Sequence, residues 1–157
     1  MSKIHVEVSE IIEAPAAQVY AILADFEVAH PAILPKPYFA ETAVETGGHG
    51  AGTIYNLRMN VYGIESHYRM SVTEPEPGRK LVETDLNGQV VTTMHVDPLG
   101  DQRCRLTFAS DFTASRGFMG FMERLTMPGI TRRIYKQEMQ ILADYVRNQN
   151  KVAPGTA

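Results

Sequence analysis

Between Ser115 and Asn150, apolar residues recur at steps of three and four. They are Phe118, Phe121, Met122 and Leu125, then Ile130, Ile134, Ile141, Leu142, Tyr145 and Val146. That is the period of an α-helix with a single apolar face. Ser115 is placed to cap its N-terminus, with Phe118 opening the periodic run. Pro128 lacks an N–H and crowds the preceding turn, so Met127-Pro128-Gly129 predicts a kink or break. A helix with one stripe this long must lay it against a broad apolar surface, and the residues before it have to supply that surface.

They supply it as strands. Ile4, Val6 and Val8 alternate with His5, Glu7 and Ser9, which predicts a half-buried strand over Lys3 to Ile12. Ala14-Pro15 opens a helix, since proline suits its first position, and Val19, Ile22, Leu23 and Phe26 give its inner face. His30-Pro31 and Leu34-Pro35-Lys36-Pro37 stop it, with room for a second short helical turn. Tyr38 to Glu45 reads as a strand. Thr46 to Gly52, with glycines at 47, 48, 50 and 52, reads as a mobile loop and a candidate gate. A meander follows: Gly52–Val61, a Tyr62-Gly63 turn, Ile64–Glu74, a Pro75–Gly78 turn, Arg79–Leu86, the hairpin signal Asn87-Gly88, Gln89–Asp97 and Arg103–Phe112. The order is one strand, short helices, six strands and a long helix. Residues 1–150 form one domain, and 151–157 read as a flexible tail.

The opening strand into Glu13-Ala14-Pro15, the following Val19-Tyr20-Ala21-Ile22-Leu23-Ala24-Asp25-Phe26, and Ile33-Leu34-Pro35 are similar to landmarks of the START-like, helix-grip superfamily. So are Gly52-Thr53, Pro75-Glu76-Pro77-Gly78-Arg79-Lys80-Leu81, Thr92 to Pro98, Arg105-Leu106-Thr107-Phe108 and the long last helix. That superfamily includes polyketide cyclases/dehydrases and the birch-pollen-allergen fold. Ala32-Ile33 stands where members often carry an aromatic. The resemblance implies an α+β helix-grip fold, with a seven-stranded antiparallel sheet wrapped around the C-terminal helix. It also implies an enclosed apolar pocket that takes lipids, polyketides, sterols or aromatics, and in some members catalyses cyclisation or dehydration.

Strand parity and turn length predict which side chains face such a pocket. Leu106, Phe108 and Phe112 orient the last strand inward, and Thr92, Met94 and Val96 follow. A two-residue Asn87-Gly88 turn sets Thr92 opposite Glu83 and Met94 opposite Leu81. A four-residue turn at Pro75 to Gly78 sets Met70 opposite Glu83, Val72 opposite Leu81 and Tyr68 opposite Asp85. Tyr62-Gly63 then sets Leu57 opposite Tyr68 and Tyr55 opposite Met70. Glu83 and Asp85 therefore point inward, where a carboxylate must be paired, hydrogen-bonded or protonated. Glu83, with Tyr68, Tyr55 or Thr92 as partners, is the candidate general acid or base. The candidate lining is Tyr55, Leu57, Met59, Tyr68, Met70, Thr92, Met94, Phe108, Ser110, Phe118, Phe121, Met122 and Leu125. Ser110 is expected to be satisfied by a backbone carbonyl, and His30 to cap or sit at the surface, with a pocket entrance as the alternative.

The five histidines show no metal-ligand spacing, the single cysteine rules out an internal disulfide, and no dinucleotide or phosphate-loop motif is present. No metal or cofactor is expected. A net charge of −3 argues against a nucleic-acid partner. No apolar run reaches membrane-spanning length and no signal peptide is evident, so a cytoplasmic protein of open oligomeric state is the expectation. Three functions stand at this point: a carrier or sensor of a hydrophobic small molecule, an enzyme of the polyketide cyclase/dehydratase kind, and a protein-interaction module.

Overall fold

A computed structural model describes residues 2–152. The chain folds in the order β1 (Lys3–Ile12), α1 (Ala16–Ala24), α2 (Ala29–Ile33), β2 (Phe39–Thr46), β3 (Ile54–Val61), β4 (Ile64–Glu76), β5 (Lys80–Asp85), β6 (Val90–Pro98), β7 (Cys104–Thr113) and α3 (Gly117–Val152). The strands make one antiparallel sheet of seven in the order β1-β7-β6-β5-β4-β3-β2. β1 and β2 are far apart on the sheet because α1 and α2 carry the chain from one edge to the other. This is the helix-grip arrangement.

The alternation that predicts the strands also sets the core. Ile4, Val6, Val8 and Ile12 of β1 are buried, as are Leu106 and Phe108 of β7 and Leu81 of β5. From α3 the sheet receives Ile134, Met139, Leu142 and Val146. Tyr62 and Gly63 both have positive φ, 51° and 86°. That is the signature of a type I′ hairpin turn, whose twist matches that of the flanking strands.

Several expectations are corrected. α3 runs unbroken through Pro128, which it holds in its interior. Its neighbours carry the turn at the cost of one internal hydrogen bond. The helix begins at Gly117. Ser115 donates its backbone N–H and its hydroxyl to Glu123, at 2.7 Å each, in place of capping the first turn. Lys151 and Val152 are helical rather than tail, and the remainder of the expected tail, 153–157, lies outside the described residues. Pro15 sits at the N-cap of α1, one position before the helix proper.

The glycine-rich loop is pinned, not a mobile gate. Phe26 N–H donates to Gly48 O and Gly50 N–H to Ala24 O, both at 2.8 Å. Ala51 N–H donates to Glu74 Oε2 at 2.8 Å. A Cβ at Gly48 would lie 2.4 Å from Glu27 Oε1, and one at Gly50 2.4 Å from Glu74 Oε2, so the glycines serve close packing.

The β4–β5 pairing is shifted by two residues from expectation. Met70 lies opposite Asp85 and Val72 opposite Glu83, because β4 extends to Glu76 and carries an irregularity after Thr73. A shift of two leaves every side chain on its expected face. The β5–β6 pairs Glu83–Thr92 and Leu81–Met94, and the β3–β4 pairs Tyr55–Met70 and Leu57–Tyr68, lie where turn length puts them.

Candidate functional site

Between the sheet and α3 lies a cavity of ≈ 660 Å³. This is within the usual range for small-molecule sites. Tyr55, Leu57 and Met59 of β3, Tyr68 and Met70 of β4, Glu83 of β5, and Thr92 and Met94 of β6 line it. α3 contributes Met119, Met122, Ile134, Tyr135 and Glu138 to the opposite wall. Tyr62, Ile64 and Met119, all exposed, rim its mouth, while Tyr55, His30, Glu83 and Glu138 are buried at its inner end.

Other candidate lining residues fall elsewhere. Phe108 and Ser110 are fully buried behind the wall. Phe108 meets the Tyr135 ring edge-on at 5.4 Å. Ser110 exchanges hydrogen bonds with Thr92 Oγ1 at 2.7 Å and with the Tyr135 hydroxyl, so side chains rather than a backbone carbonyl satisfy it. Phe118, Phe121 and Leu125 are 77 %, 55 % and 64 % exposed and lie outside the cavity. They lie on the opposite side of the helix from Met119, Thr126 and Met127, which line the cavity from the same turns.

The polar end is built around Glu83, only 5 % exposed. Its Oε2 accepts a 2.5 Å hydrogen bond from the Tyr55 hydroxyl. Its Oε1 is buried with no hydrogen-bond partner. His30 lies nearby. Its Nδ1 stands 2.7 Å from the Leu23 carbonyl oxygen, which can only accept, so Nδ1 carries the hydrogen. That leaves Nε2 turned toward Glu83 Oε1 at 4.0 Å, beyond hydrogen-bond reach. Phe26 stacks on Tyr55 at 5.1 Å and tilts against His30 at 4.8 Å, fixing both rings.

Across the cavity, Glu138 is 2 % exposed. Burial, and then the charge of Glu83, hold its carboxyl well above the ordinary carboxylate range, which favours its protonated form. Burial and the Glu83 carboxylate likewise raise Tyr55 well above a normal phenol. Burial pushes Tyr135 up to about 12, against the opposing pull of its bonds to Ser110 and Thr92.

Asp85 also points inward but plays another part. Its Oδ1 accepts from Arg69 N–H at 3.1 Å and its Oδ2 from Gln89 N–H at 3.0 Å, so it ties the β5–β6 turn to β4. Among the described residues no group of His, Cys, Asp and Glu is arranged to hold a metal ion. No helix among them is long and apolar enough to cross a membrane.

Glu138 is the residue that sequence reasoning missed, and His30, expected at a cap, the surface or a pocket entrance, is buried at the inner end. Glu138 follows Lys136-Gln137 and looks like part of a solvated face. Yet it stands four residues from both Ile134 and Leu142, on the apolar stripe itself. An acid at that position is the signal that points to a site.

An apolar cavity gripped between a curved sheet and a long helix, with buried acids at its inner end, defines a START-like ligand-binding fold. The chain belongs to the polyketide cyclase / dehydrase and lipid transport family, whose model matches residues 3–147. Its fold is similar to that of the KanY protein, at 24% identity and TM-score 0.80 over 94% of this chain and 99% of that one. It is also similar to the Zhui aromatase/cyclase from a Streptomyces species, at 17% identity and TM-score 0.78 over 94% and 95%. Norcoclaurine synthase from Thalictrum flavum, solved with dopamine and hydroxybenzaldehyde, superposes at 16% identity and TM-score 0.67 over 93% and 87%. The comparison with curated proteins yields no match.

Proposed function

We propose that this protein binds a hydrophobic small molecule, of lipid, polyketide or aromatic type, in the cavity between sheet and α3. The observation that carries the reading is the ≈ 660 Å³ space itself, walled by Leu57, Met59, Met70 and Met94 with the buried acids Glu83 and Glu138 at its inner end. Methionine walls adapt to ligands of differing shape. Native mass spectrometry of the purified protein, followed by denaturation and weighing of what is released, tests it together with uptake of the neutral dye Nile red. A co-purified apolar molecule or saturable dye uptake supports the reading. Protein that carries nothing and takes up no dye sinks it and favours a protein-docking role.

A second reading, catalysis, is favoured by the unlike pair of acids. Burial and the charge of Glu83 raise Glu138, which favours its protonated form beside Glu83. Such a pair offers a general acid and a general base to one bound substrate. In a cyclase or dehydratase, Glu83 would draw a proton from carbon next to a carbonyl while Glu138 protonates the carbonyl oxygen, and the cavity would hold the chain folded. Glu83→Gln separates the two readings. Turnover of a poly-β-ketone substrate should fall at least ~100-fold with binding retained. A variant that binds and turns over normally removes Glu83 from the chemistry.

A further inference from the structure

We propose that the ligand of this cavity carries a protonated nitrogen, and that Glu83 and Glu138 receive it at the inner end. The inference rests on the ligand-binding reading and names the chemistry of its polar head. Glu83 Oε1 is buried, lines the cavity and has no donor, so it is an acceptor awaiting a partner. Among the described residues, no Lys or Arg lines the cavity. His30 is the nearest cationic candidate, and its Nε2 stops 4.0 Å short.

The electrostatics select among head groups. A carboxylate or phosphate would enter a low-dielectric space already holding one buried carboxylate, with no fixed cation to offset it. A hydroxyl could satisfy Glu83 Oε1 but would leave the charge uncompensated. An ammonium brings both a positive charge and up to three N–H donors. It can donate to Glu83 Oε1, and the carbonyl oxygen of Glu138 on the facing wall offers a second acceptor. Charge-assisted bonds of this kind are the strong ones. The apolar wall then holds the ligand's body, and Phe26 and Tyr55 back the carboxylate with stacked rings.

The test uses three probes with one apolar body: naphthylethylamine, naphthylethanol and naphthylpropionate. The chain has no tryptophan, so naphthalene emission reports binding without interference. The amine should bind roughly tenfold or more tighter than the alcohol, and the carboxylate weakest. Glu83→Gln, which keeps an acceptor for Tyr55, should bring the amine down to the affinity of the alcohol while leaving the alcohol within about threefold. Glu138→Gln should weaken the amine selectively, by a smaller factor, and serves as the second variant should Glu83→Gln fold poorly. An alcohol that equals or beats the amine overturns the inference; if Nile red still enters, the ligand-binding reading stands. Failure of Nile red and of all three probes overturns both.

Discussion

Tyr55 on β3 reaches across the width of β4 to place its hydroxyl 2.5 Å from Glu83 Oε2 on β5. The bond joins two strands that are not neighbours, over the floor of the cavity. It is the only hydrogen bond that the Glu83 carboxylate receives from the described residues, since its other oxygen has none.

Tyr55→Phe should therefore cost roughly 1.5–3 kcal/mol in urea unfolding, the range for a bond to a charged acceptor whose partner stays buried. The same substitution in a Glu83→Gln background should cost less, because a neutral acceptor loses less. Equal costs in both backgrounds would show that the pair is not coupled.

Glu138 should make stability depend on pH. Its carboxyl is held above the ordinary value of 4.5 in the folded chain, so the unfolded chain ionises first as pH rises. The folded state then binds more protons, so stability falls as pH rises past that value, by at most about 1.4 kcal/mol per unit for one proton. The cavity-lining titratable groups it shares the space with are Glu83 on β5, Tyr55 on β3, Tyr68 on β4, Tyr62 in the turn between them, Glu123 and Tyr135 on α3, and His30 on α2. Glu138→Gln has no proton to lose. It should gain on the parent steadily between about pH 5 and pH 7.5, as read from urea midpoints. Parallel pH profiles would mean that Glu138 is ionised in the folded protein.

Two glycines of α3 should respond in opposite directions. A Cβ at Gly120 would lie 1.9 Å from the Ser115 carbonyl oxygen, whereas one at Gly129 would meet nothing within 4 Å. Gly120→Ala should destabilise by about 1–3 kcal/mol and unfasten Ser115 from Glu123. Gly129→Ala should stabilise by ~1 kcal/mol, because it removes glycine from a helix interior. Thermal denaturation of both variants decides the matter, and a stable Gly120→Ala would refute the close approach.

Exposure separates the two halves of the α3 stripe. Phe121→Ser and Leu125→Ser should change stability by no more than about 0.5 kcal/mol. Leu142→Ala, fully buried on the same helix, should cost about 2–5 kcal/mol. A large loss at Leu125 would show that the first turns of α3 are covered in solution.

Much of this fold can be read from periodicity, because the two periods switch cleanly between β7 and α3. Glu83 can be placed because the Asn87-Gly88 turn admits one register, and because the misjudged turn after Thr73 slips by an even number. What a list of three- and four-residue steps conceals is one step of five, which turns the apolar run onto another face of the helix. Phe118 and Ile134 belong to two such runs, but the five-residue step from Leu125 to Ile130 sets the runs about 160° apart, and only Ile134 is buried. Nor does a residue-by-residue scan reveal Glu138, whose neighbours in sequence are polar and whose neighbours in space are not. The glycine loop misleads for a related reason: glycine signals both freedom and close approach, and here Glu27 and Glu74 occupy the space that side chains would need.

The hydroxyl chain from Thr92 through Ser110 to Tyr135 fastens α3 to the sheet at one point on its circumference. Each residue of a helix turns the next by about 100°. A slip of one position would swing Glu138 away from the cavity and present Gln137 or Met139 in its place. Three hydroxyl groups thus act as an angular stop for the helix, and the identity of the group that faces the cavity is held by a latch whose middle link, Ser110, is buried behind the wall.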